Sequence, residues 1–97
     1  MSKNYIYNEL VPIYDGRKSF YRKAMVYYDD DLQYVILRSY DTDVLAIDRF
    51  YKTFVRLWNG YSSTTMRHVN EFCRQFGIPG GGKQWWDSLA VDVFYPL

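Results

Sequence analysis

Tyr61–Gly77 reads YSSTTMRHVNEFCRQFG. Ser62 and Ser63 offer side-chain oxygens to a free N–H of a first helical turn. Met66, Val69, Phe72, Cys73 and Phe76 follow at helical spacings, so a helix places them on one face. Arg67, Asn70, Glu71, Arg74 and Gln75 fall on the other face. Arg67 and Glu71 are four apart and able to pair, in the less favourable order. His68 lies at the border of the two faces, beside Phe72. Gly77 stands where a left-handed residue closes a helix, and Pro79 follows where none continues. The pattern predicts a helix over 63–76 that covers an apolar surface, and that surface must come from the chain before it.

That chain is β-prone. In YIYNELVPIY (5–14), Pro12 argues for an edge strand or an irregular arm, and Asp15-Gly16 reads as a two-residue hairpin turn. RKSFYRKAMVYY (17–28) alternates: Phe20, Ala24, Val26 and Tyr28 share one face with Arg22, and Ser19, Tyr21, Lys23, Met25 and Tyr27 share the other. Asp29-Asp30-Asp31 is a solvated turn, and Leu32–Tyr40 is the strongest strand signal. Asp41-Thr42-Asp43 turns the chain into Val44–Ile47. Asp48-Arg49 turns it again into Tyr51–Trp58. The expected fold is α+β: an antiparallel meander of four to five strands with one helix packed on a face. Beyond the helix, IPGGGK (78–83) is a loop, and QWWDSLAVDVFYPL (84–97) fits either a short helix or a strand. Adjacent Trp85 and Trp86 suggest that this tail docks back on the body.

Ninety-seven residues make one domain with a modest core. With 21% aromatic residues, among them 11 Tyr, a β-rich domain with a half-exposed aromatic face is expected. The net charge of +1 removes the signature of a general DNA coater and of an acidic nucleic-acid mimic. A single Cys excludes an intrachain disulfide and any multi-cysteine metal site, and fits a reducing compartment. The start MSKNYIYNE is not a signal peptide, and no apolar run approaches membrane-spanning length. A cytoplasmic location is expected.

Three segments together resemble a known family: RKSFYRKA (17–24), LRSYDTDV (37–44) and GYSSTTMRHVNEF (60–72). They are similar to a small domain of unknown function common in bacteriophages and mobile elements of Gram-positive and gut bacteria, with the pattern SFYxKA, SYxTxVA and YSxTTxRHIxEF. Ser19, Phe20, Tyr21, Lys23 and Ala24 match the first block. Ser39, Tyr40, Thr42 and Val44 match the second, although Leu45 intervenes before Ala46. Tyr61, Ser62, Thr64, Thr65, Arg67, His68, Glu71 and Phe72 match the third. The resemblance covers about 17–77 and leaves the tail 78–97 unexplained. It implies a phage or mobile-element origin and supplies no activity, since none of the motifs is catalytic.

Chemistry-bearing signals are sparse. Gly77–Lys83 (GIPGGGK) matches Walker A spacing up to its lysine, but a helix precedes it and Gln84 stands where the magnesium-binding hydroxyl belongs. His68 and Cys73 are the only His and Cys; five apart on a helix, they diverge, and Cys73 on the apolar face is expected to be buried and inert. Ser62–Thr65 could hold phosphate at a helix start, yet capping accounts for these residues. SYDT (39–42) reads as a turn fixed by its side chains. No enzyme activity, cofactor or metal is expected.

Charge is uneven. Arg17, Lys18, Arg22 and Lys23 form a basic hairpin, and Asp29, Asp30, Asp31, Asp41, Asp43 and Asp48 make the middle acidic. Arg49, Lys52, Arg56, Arg67, Arg74 and Lys83 turn the chain basic again. The expected function is non-enzymatic binding of a host or phage protein, with inhibition of a bacterial defence system, anti-CRISPR activity included, as one use. The aromatics Tyr21, Tyr27, Trp85 and Trp86 are the expected anchors. The alternative is a nucleic-acid-binding module using Arg17, Lys18, Tyr21, Arg22 and Lys23 on a basic aromatic hairpin.

Overall fold

Strand alternation decides which way the sheet faces. In β3 (Tyr34–Ser39), Val35, Leu37 and Ser39 are buried while Tyr34, Ile36 and Arg38 are half-exposed, as on a sheet covered on one side. The computed structural model describes residues 6–14, 23–29 and 31–97. β3 is shorter than its apolar run because Leu32 and Tyr40 adopt φ of 57° and 56°, a left-handed conformation no strand contains. β4 (Thr42–Asp48) returns antiparallel with Val35 opposite Ile47 and Leu37 opposite Leu45. The register then shifts, so that Arg38 faces Asp43 and Val44 is the extra residue. This β-bulge explains why Val44 and Leu45, adjacent in sequence, are both fully buried.

The remaining strands complete a meander. β1 (Ile6–Glu9) pairs with β2 (Ala24–Tyr28), β2 with β3, and β4 with β5 (Thr53–Arg56). Among the described residues the sheet has six strands in the order β1-β2-β3-β4-β5-β6, not four or five. The sixth, β6 (Phe94–Pro96), comes from the tail and places Tyr95 opposite Phe54. Pro12 lies in an irregular arm beyond edge strand β1, where its missing donor interrupts no ladder. The expected Asp15-Gly16 turn and the first half of the strand predicted over 17–28 lie outside the described residues.

Helix α1 (Ser63–Phe76) has the predicted bounds. Ser62 accepts the Thr65 N–H, and Gly77 (φ 79°) returns its own N–H to the Cys73 carbonyl. Met66, Val69, Phe72 and Cys73 join Val35, Leu37, Leu45, Ile47 and Phe54 in one core. Phe76 packs at its margin, 4.7 Å from the Phe72 ring. The tail uses both expected conformations in succession: α2 (Lys83–Asp87), then β6. It puts Trp86 and Leu89 into the same core, with Trp85 and Tyr95 against Phe54. Among the described residues no helix is long and apolar enough to cross a membrane.

Candidate functional site

Four of the polar motif residues, Ser39, Thr65, His68 and Glu71, turn inward. Ser39 Oγ, at the end of β3, lies 3.0 Å from Thr65 Oγ1 and 2.8 Å from His68 Nδ1, all three buried. His68 is therefore not a border residue: it ties α1 to the sheet. Glu71, expected on the outward face, is buried too. Its carboxylate accepts the N–H groups of Ile13 and Tyr14, each at 3.1 Å, and the Gln75 amide at 2.6 Å. The helix thus buries a stripe wider than its apolar residues, and the extra width is polar and hydrogen-bonded, as burial requires. Cys73 is in the core, and burial pushes its thiol up to about 12, which keeps it protonated and unreactive. Among the described residues no group of three or more His, Cys, Asp or Glu is placed to hold a metal ion.

Arg56 is the least expected of these groups. Read as part of a basic surface, it is instead buried on the helix side of β5. Its Nε donates to Trp58 O, Nη1 to Trp86 O and Leu89 O, and Nη2 to Gly60 O. The guanidinium also lies 4.2 Å from the centre of the Trp86 ring. A planar fork of donors suits this ring of carbonyls as no other side chain does.

The predicted anchors do not assemble. Trp86 is 0% exposed and donates Nε1–H to Gly60 O, so it is a core residue. Tyr27 is 8% exposed, and its hydroxyl donates to Asp43 Oδ2 at 2.6 Å. Neither stands ready for a partner, because each finds both apolar cover and a polar mate inside the fold. Trp85 is half-buried, its indole flat against Gly80. Lys23 is exposed just before β2. Arg17, Lys18, Tyr21 and Arg22 lie outside the described residues. The Gly77–Lys83 loop follows a helix, Gly82 donates its N–H to Asn70 Oδ1, and Lys83 pairs with Asp87 at 2.6 Å, which raises the lysine pKa.

Two concavities lie at opposite ends of α1. At its start, a cavity of about 230 Å³ is lined by Ser39, Tyr40, Thr42, Val44, Trp58, Tyr61, Ser62 and Thr65. All of these but Trp58 belong to the second and third sequence motifs. At its end, a cavity of about 320 Å³ is lined by Tyr28, Val35, Ile47, Phe76 and Leu97, with Arg49 and Lys52 on its rim.

Beside this second cavity the β4–β5 turn presents Phe50 and Tyr51, 63% and 76% exposed. Asp48 pins the turn: its Oδ1 accepts the N–H groups of Phe50 (3.0 Å) and Tyr51 (3.1 Å), and the Gln33 amide donates to the same carboxylate. Lys52 follows in the left-handed region (φ 58°). Sequence reading placed a turn at Asp48-Arg49 but began the next strand at Tyr51, whereas β5 starts at Thr53 and Phe50–Lys52 belong to the turn. The available signal was Asp48, a residue whose carboxylate caps the N–H groups two and three positions on.

Neither the curated proteins nor the solved structures contain a match to this chain. A family of unknown function, DUF8033, matches residues 8–88, from β1 through α2, and the chain belongs to that family.

Proposed function

We propose that the protein is a non-enzymatic accessory protein of a phage or mobile element that acts by binding a host or phage protein. The observation that carries this reading is the pinned turn Arg49–Lys52. It holds two exposed aromatics between two cations, and the aromatics and Arg49 are of residue types enriched at protein interfaces. Buried His68, Glu71, Cys73 and Arg56 are engaged within the fold, which supports binding over catalysis. The origin rests on the resemblance of the three motifs. A small domain that presents such a patch suits inhibition of a bacterial defence system, anti-CRISPR activity included, in the host cytoplasm.

The test is capture from host lysate by the wild-type protein and by a Phe50→Ala/Tyr51→Ala variant, with melting curves for both. The double variant is expected to keep its fold and lose the captured protein, at a cost of about 2 kcal/mol or more per anchor. Equal capture by both proteins sinks the reading.

A second reading, a small nucleic-acid-binding module, has one observation in its favour: the same turn flanks two exposed rings with cations, a combination single-strand binders use. It predicts affinity that falls with salt by a log–log slope of about −0.7 per phosphate contact. Fluorescence anisotropy with mixed DNA and RNA pools at two salt concentrations is expected to show roughly micromolar or poorer binding. Nanomolar binding that weakens steeply with salt replaces the protein-partner reading.

A further inference from the structure

We infer that the cavity at the end of α1, together with the β4–β5 turn, is a docking site for an acidic segment of a partner protein with one apolar side chain at its centre. The inference rests on the reading of the protein as an interaction module and adds the chemistry of what it binds. The cavity floor is apolar: Val35 and Ile47 are buried core residues, and Tyr28 and Phe76 form half-buried walls. At about 320 Å³ it has room for one aliphatic or aromatic side chain.

The charged side chains that line the cavity, Arg49 and Lys52, carry one sign. Arg49 and Lys52 are both exposed, and neither has an ion-pair partner among the described residues. Of the other described cations, Arg56 is held by carbonyls, Lys83 by Asp87, and Arg38 lies 3.6 Å from Asp43; Lys23, Arg67 and Arg74 form no ion pair among the described residues either, but they do not line this cavity. Asp48 and Asp29 are buried and accept backbone N–H groups, and Asp31 stands exposed in the neighbouring β2–β3 turn.

An extended segment puts alternate side chains on one side. One apolar residue in the cavity therefore brings flanking carboxylates to the rim. Arg49 can take a carboxylate with its two-pronged fork, and Lys52 offers a point charge. The backbone of Lys52 adds a further indication. Its φ of 58° favours glycine, yet a long cation stands there and lines the cavity mouth. Charge complementarity selects an acidic partner, and the apolar floor selects protein over nucleic acid, whose phosphates would leave the cavity unfilled.

The test is a titration of the isotope-labelled full chain, read by amide chemical shifts, with four probes. They are a capped peptide with a central leucine between runs of aspartate and glutamate, the same peptide with serine for leucine, its lysine-flanked counterpart, and an oligothymidylate. The acidic leucine peptide is expected to shift the amides of Ile47, Arg49, Tyr51, Lys52 and Phe76. Arg49→Glu and Lys52→Glu are each expected to weaken it about tenfold or more with unchanged melting temperature. Lys52→Gly, which suits the turn, is expected to melt no lower than the parent and still lose affinity several-fold. No shift at these amides, equal response to the serine or lysine peptide, tighter binding of the oligothymidylate, or indifference to charge reversal each overturns the inference. Self-association through this face, seen by sedimentation, overturns it as well. If the peptides fail while the Phe50/Tyr51 variant still loses its captured protein, the interaction reading stands and only the acidic chemistry falls.

Discussion

Cys73 shows how one buried side chain couples the fold to pH. Burial raises its pKa from 9.0 to about 12, while the unfolded chain keeps a thiol near the ordinary value. Above pH 9 the unfolded chain loses this proton and the folded one does not, so the unfolded state binds fewer protons and stability falls as pH rises. The contribution is intact below about 9 and is lost towards about 12, at roughly 1.4 kcal/mol per pH unit. Urea denaturation of the parent and of Cys73→Ala across that window is expected to show the steeper decline in the parent. Parallel slopes would mean the thiol is not buried as described. This burial was legible in the sequence, since Cys73 lies on the apolar stripe. The burial of His68 and Glu71 was not, because their partners, Ser39 and the arm residues Ile13 and Tyr14, are remote in sequence. Helical spacing alone left His68 at the border of the two faces and put Glu71 on the outer one.

At the scale of the element, α1 was readable to the residue because everything that bounds it is local: a hydroxyl before the first turn, a glycine after the last. β5 was misjudged for the converse reason. Tyr51 and Lys52 have strand-like chemistry, and the pairing partner that would have excluded them is settled only by the sheet. The helix owes its stability to its contacts with β3 and its neighbours, Phe72 being fully buried at the centre of that contact. Phe72→Ala is expected to cost about 3–5 kcal/mol. In a chain of this size that lowers the melting temperature by well over about 10 °C. A calorimetric scan within a degree or two of the parent would show that α1 is not held through this ring.

For the molecule as a whole, the tail is the part least foreseen. Its composition hinted at docking, but a strand is defined by what it pairs with, and β6 pairs across both helices. Arg56 is the joint between the sheet and this tail, through the carbonyls of Trp86 and Leu89. Arg56→Met removes the guanidinium donors from the Trp58 and Leu89 carbonyls, while Gly60 O keeps the Trp86 Nε1–H and Trp86 O keeps the Leu89 N–H. A loss of about 3 kcal/mol or more is expected by urea denaturation. It is expected together with faster amide exchange in β6, the strand the joint anchors. A variant as stable as the parent would show that hydration of the ring replaces the guanidinium at no cost.

The strand order has a kinetic consequence. From β2 to β5 each strand lies beside its neighbour in sequence, so those pairings close short loops and form early. β6 must wait for α1 and α2, which makes its arrival the long-range step. Until then Arg56 lacks two of its four carbonyl acceptors and its aromatic cover. Its charge remains in water, and the outer edge of β5 stands open. Stripping water from that guanidinium and sealing that edge are therefore one event, late in folding, and the half-assembled sheet is the species at risk of pairing with another copy of itself.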